Sequence, residues 1–264
     1  MTRHLVPVMA LALMLPSFTA FALDDPTAGP ENFPHFRNIS ALAGSVFGAD
    51  ARGFSSLSGP TALSTPVAHV LGHNQFRLAG GAMSFSSSPE LSSSNSNGTF
   101  YLMYGATLGR FNVAISPMFL SRGGDRSFNL QAQLIPEDTS HVAFSVGVQD
   151  IEGGGGSAGE GFPADDGKSS RSFFGVATYR VDTAKSPVYI SAGVGTRRFR
   201  AAFASVSHQI AQPVRIYAEY DGFGINDGIL FSWKSGAAKR SPEVNAGIGF
   251  VRSRYFTLMA GVGF

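Results

Sequence analysis

The chain has 264 residues, 44% of them hydrophobic and 14% charged, with a formal net charge of +2 and no cysteine. Average soluble domains carry about 25% charged residues, and a mean hydropathy of +0.08 excludes a polytopic helical membrane protein. The missing thiols exclude disulfides, cysteine nucleophiles, cysteine-ligated zinc and a lipoprotein anchor. The small charge, with no long basic stripe, argues against nucleic acid as a partner.

The first segment, MTRHLVPVMALALMLPSFTAFALDD, orders its features as a secretory signal does. Arg3 supplies the positive start, residues 5–15 form an apolar run too short to span a bilayer, and Ala20-Phe21-Ala22 fits a small-x-small cleavage site. Cleavage after Ala22 is expected to leave a mature chain that begins at Leu23. Residues 23–75 are rich in Pro, Gly, Ser and Ala and show no sustained period. They read as an irregular segment, long enough to enter and plug a barrel that follows.

From Phe76 onward the pattern changes to period two. Phe100, Leu102, Tyr104, Ala106 and Leu108 alternate with Tyr101, Met103, Gly105 and Thr107, and Phe128, Leu130, Ala132 and Leu134 with Asn129, Gln131 and Gln133. Twelve such stretches are predicted: 76–86, 99–108, 111–120, 127–135, 140–149, 171–181, 187–197, 201–211, 213–221, 226–234, 243–251 and 255–264. Each is close to the roughly 9–11 residues that cross a bilayer at a tilt. An even count places both ends on one side. The links after strands two, six and eight are short, and those after strands one and five are long. This parity suits short periplasmic turns and longer external loops.

The pattern therefore predicts an all-β protein, a transmembrane antiparallel up-and-down barrel of about twelve strands over 76–264. The expected location is the outer membrane of a Gram-negative-type bacterium, with lipid and lipopolysaccharide around the barrel. The last strand, YFTLMAGVGF, resembles the C-terminal recognition strand of outer-membrane proteins. Phe256, Leu258, Val262 and Phe264 would then form the signal read by the barrel assembly machinery.

Chemistry is sparse. Ser207 and His208 are adjacent, so on a strand they face opposite sides, and His141 has no identifiable Ser or Asp partner. His69 and His73 stand four apart, but Gly72 and the strand-like surroundings argue against a metal-binding helix. EGGGGSAGEG at 152–161 lacks the Lys-Ser/Thr of a P-loop. No catalytic, metal or cofactor site is expected, and the chain is not expected to be an enzyme. On the strand 213–221, Arg215, Glu219 and Asp221 share the inward face and predict a charge-compensated lumen cluster. Arg197, Arg198 and Arg200 end strand seven at the external rim, where they are candidates for contact with an anionic polymer or lipopolysaccharide.

Two stretches resemble YjbH-like outer-membrane proteins: SGPTALSTPVAHVLGHNQFRLAGG at 58–81, with Thr65-Pro66-Val67-Ala68 in the place of the entry motif, and VRIYAEYDGFGINDGILFSW at 214–233, where Glu219, Tyr220, Asp221, Gly222, Asn226 and Gly228 match. The resemblance covers both ends of the barrel and little between. It implies a noncatalytic barrel that assists export or surface organisation of an exopolysaccharide. The alternatives are a passive or selective diffusion pore and, third, an outer-membrane lipid hydrolase.

Overall fold

The computed structural model describes residues 39–56, 58–83, 98–120, 126–153, 171–199, 202–222, 224–234, 241–251, 253 and 255–264. The expected signal peptide and Arg200 lie outside them, as does most of the glycine-rich stretch 152–161.

Twelve antiparallel strands close into one barrel in simple sequence order. They are β1 (Gln75–Met83), β2 (Gly98–Leu108), β3 (Phe111–Leu120), β4 (Arg126–Ile135), β5 (Val142–Gln149), β6 (Ser172–Val181), β7 (Val188–Gly195), β8 (Phe203–Ala211), β9 (Val214–Tyr220), β10 (Ile225–Lys234), β11 (Glu243–Val251) and β12 (Tyr255–Gly263). β12 pairs with β1 from Arg77↔Gly263 to Met83↔Thr257. Beyond that ladder, Phe76 and Phe264 exchange backbone hydrogen bonds of 2.7 and 2.9 Å, which removes the last open edge.

Period two decides which residues face lipid. Leu102, Ile115, Leu130, Ile216, Ile229, Ile248 and Leu258 are exposed around the waist. Aromatic residues stand towards both ends of this belt: Phe100, Phe119, Phe173 and Phe250 at one, Phe76, Tyr179, Trp233 and Phe264 at the other. An apolar band between two aromatic girdles is how a barrel matches a bilayer. The alternate residues are buried, among them Ser127, Asn129, Gln131, Gln133, Ser145, Thr178, Ser191, Ser205 and Ser207.

Residues 39–74 fill the lumen. Their contacts run from Gln149 near the loop end of β5 to Arg77 near the end that holds both barrel termini, back to Glu219, and down again to Glu137 before β1 begins. The plug therefore covers much of the inner wall. Tyr101, Met103, Met118, Tyr217, Leu230 and Met259 point inward and pack on Phe47, Leu63, Val67, Val70 and Leu71. A second apolar group joins Leu42 and Ala68 to Phe174, Val176, Phe199 and Phe203. The small and polar inward residues face this buried peptide.

Candidate functional site: the plugged lumen

An irregular segment inside a barrel has no ladder to satisfy its peptide groups, and leaving them unpaired in a dry interior is costly. Wall side chains take over that task. The Gln131 carbonyl oxygen accepts from the Ala43 N–H at 3.1 Å while its amide donates to the Val67 carbonyl at 2.6 Å. Tyr101 donates to Ser45 O at 2.6 Å, Asn245 to Val46 O at 2.9 Å and Gln149 to Ser40 O at 2.9 Å. The hydroxyls of Ser207 and Thr178 accept from the N–H groups of Thr61 and Ala68, at 3.0 and 2.8 Å. All twelve strands thus touch the plug by hydrogen bonds, by close packing or, for β7, by the edge of the Tyr189 ring against His69.

Arg215, Glu219 and Asp221 face inward as expected, and all three are buried. They do not form the mutual cluster expected from the sequence. Positions 215 and 219 are about 13 Å apart along a strand, so sharing a face does not bring them into contact. Arg215 donates instead to the Thr61 hydroxyl and the Ser56 carbonyl of the plug. Asp221 accepts from Arg198 at 3.2 Å. Glu219 accepts from three consecutive plug N–H groups, Leu63 at 3.0 Å, Ser64 at 2.8 Å and Thr65 at 3.1 Å. It also accepts from the hydroxyls of Ser64 and Thr65, both at 2.8 Å, and from the Asn226 amide at 2.7 Å.

The rim arginines are rearranged too. β7 ends at Gly195, and a single 3-10 turn over Arg197–Phe199 follows. Arg197 adopts φ 50°, which turns Arg198 inward, where it is 2% exposed and also donates to the Asp221 carbonyl at 2.6 Å. Arg198 therefore does not line an outer basic rim, and Arg197 is half-buried there.

Sequence reasoning missed Arg77 and the turn between β4 and β5. Arg77 is buried, donates to Phe47 O, Gly48 O and Ser55 Oγ, and lies over the Phe47 ring. A lone arginine among alternating apolar residues on a first strand was the available signal. His69, with no exposed surface, places Nε2 2.8 Å from Glu137, which also accepts from Arg180. Ser207 faces the plug, half-buried His208 faces the other way with Nδ1 3.2 Å from Pro187 O, and His141 stands in a turn with φ 58°. Nothing brings these three together. At the terminus end a vestibule of about 630 Å³ opens between Ser56 and Ser58 of the plug and Gln209, Gln212, Ser232 and Lys234 of the wall.

The fold and site define a class: a closed twelve-stranded barrel with a lipid-facing exterior and an internal plug. No protein-family model and no curated protein matches the sequence. Among solved structures, the chain is similar to the KdgM porin (TM-score 0.50, 9% identity) and to the KdgM porin in complex with disordered oligogalacturonate (TM-score 0.50, 10% identity). Both likenesses cover 72% of this chain and 98% of the other. At that identity the likeness is one of fold.

Proposed function

We propose that the protein is a noncatalytic, porin-type channel of the outer membrane that passes small hydrophilic solutes, saccharides among them, and is closed in the described state by its own N-terminal segment. The observation that carries this is the construction of the plug. It is no part of the sheet, so the barrel's hydrogen-bonded ladder closes without it, and its removal would uncover a ring of Ser, Thr, Asn, Gln and Arg side chains. The porin fold likeness supports a pore over an export accessory, and the saccharide class follows from the ligand named for one porin neighbour. On this reading lipid and lipopolysaccharide surround the apolar belt, and the assembly machinery reads β12.

The test uses the cysteine-free background. An ideal Cβ on Gly263 would lie 3.3 Å from Ser55 Cβ, near the roughly 3.8 Å of a disulfide. The pair Ser55→Cys/Gly263→Cys would pin residues 55–75 at both ends. In planar bilayers the wild type, under either redox condition, and the reduced variant should show openings, and oxidation should abolish those of the variant alone. Variant currents indifferent to verified disulfide formation, or none from reduced protein of verified insertion, would sink the channel reading.

A second reading has one observation in its favour. The two stretches that resemble YjbH-like proteins, 58–81 and 214–233, meet in the lumen, where Ser64 and Thr65 bind Glu219 and Asn226 donates to Ser64 at 3.1 Å. On that reading the barrel assists exopolysaccharide export, and loss of surface polymer on deletion, with no solute flux through the purified protein, would favour it.

A further inference from the structure

The contact around Glu219 is unlike the rest of the plug's wall contacts. Elsewhere a wall side chain meets one or two plug peptide groups. Here three consecutive N–H groups and two hydroxyls of a bend converge on one carboxylate, both oxygens engaged. Successive backbone N–H groups in a turn form a concavity suited to an anion, and hydrogen bonds to a charged group are roughly twice as strong as neutral ones. Arg198 is committed to Asp221, and Glu219 has donors rather than a cation as its direct partners. The anion is thus held by the plug, and the plug by the anion.

Position adds the second element. Asp221 and Gly222 stand at the turn after β9, so Glu219 lies one inward-facing residue from the loop-end rim. Ser64 is the least deeply buried member, at 8% exposed. Between this catch and that end stand Asp221, which also accepts from the Ser64 hydroxyl at 3.4 Å, and its partner Arg198.

We infer that the Leu63–Ser64–Thr65 bend is a carboxylate receptor whose resident ligand is Glu219, and that a carboxylate-bearing solute at the loop-end mouth takes over the bend and releases the plug. The inference rests on the channel reading and adds to it the latch and the class of solute that opens it. Replacing Glu219 by Gln sets an amide NH2 against the bend's donors; replacing it by Ala empties the receptor.

The experiment is single-channel recording of the full mature chain, wild type, E219Q and E219A, with far-UV circular dichroism to verify the barrel. Gly105→Phe serves as the reference. An ideal Cβ there already lies 2.5 Å from Leu71 Cβ and 2.4 Å from Gly72 O, so the ring pushes the plug off the wall. Both Glu219 variants should raise open probability about tenfold or more, the scale of losing charged hydrogen bonds. In E219A, where no resident carboxylate remains to be displaced, glucuronate and glucose should act alike. Glucuronate should open the wild type where glucose does not. If Gly105→Phe conducts while both Glu219 variants stay silent, the latch is wrong and the channel stands. If glucuronate acts no differently from glucose on the wild type, or still opens E219A further where glucose does not, the receptor is wrong. Silence from every variant, with insertion verified, removes the channel reading and the latch with it.

Discussion

Arg77 shows how a single lumen residue holds a plug. Its guanidinium reaches two plug carbonyls and the Ser55 hydroxyl from a position 1% exposed. Arg77→Met would keep much of the side chain's bulk and remove every donor, leaving Phe47 O and Gly48 O buried without partners. Each such loss costs about 1–3 kcal/mol, so the urea midpoint of the folded protein in lipid should fall by the equivalent of about 3 kcal/mol. An unchanged midpoint would mean that water replaces the guanidinium. The inward direction of Arg77, Arg215, Glu219 and Asp221 follows from strand parity alone. Their partners do not, because residues four apart on one face of a strand are too distant to touch, and the groups that reach them come from residues 47–65 of the plug and from Arg198 and Asn226 of the wall. Arg198 was harder still, since a positive φ at its neighbour overrides parity at the strand end.

Among the elements, the predicted strands lie within three residues of the observed ones at each boundary. Alternation is strong wherever one face meets lipid and the other a packed interior, so boundaries fall where it stops. β7 is shorter than the expected 187–197 because the chain leaves the sheet for the 3-10 turn. β12 has two possible roles that one substitution separates. Phe264 closes the ladder with Phe76, and their rings lie 6.3 Å apart. Phe264→Ala should lower refolding yield in detergent if ring packing drives closure. A loss confined to cells would instead support the assembly signal formed by Phe256, Leu258, Val262 and Phe264. The same strand carries Gly261, where an ideal Cβ would sit 2.5 Å from the Phe47 ring and 2.7 Å from Ala79 Cβ. Gly261→Val overpacks this contact and should cost about 1–3 kcal/mol, read as a lower urea midpoint.

For the molecule as a whole, the barrel and its plug form one packed interior. Phe47, Leu63 and Leu71 have no exposed surface, and the apolar cluster they build includes residues of β1, β2, β3, β9, β10, β11 and β12. Amide exchange should therefore be as slow at Ala43, Val46, Ala62 and Val67, whose N–H groups are bonded, as in the strands. A solute that opens the channel should accelerate exchange at these plug positions and leave the strand amides unchanged. Fast plug exchange without any solute would mean that the plug leaves spontaneously and needs no trigger.

The sequence by itself determined the closed barrel, its lipid-facing side and its inner side, because period two is written into neighbouring residues and needs no distant partner to be read. It also showed that 23–75 stands apart, since the period is missing there. Only the tertiary structure decided what the inner side chains do. A plug without regular structure takes its hydrogen bonds from side chains up to about two hundred positions away, as Val46 does from Asn245. No local pattern encodes that pairing. The residues that looked like a lumen charge cluster are, in the folded molecule, the hands that hold the plug.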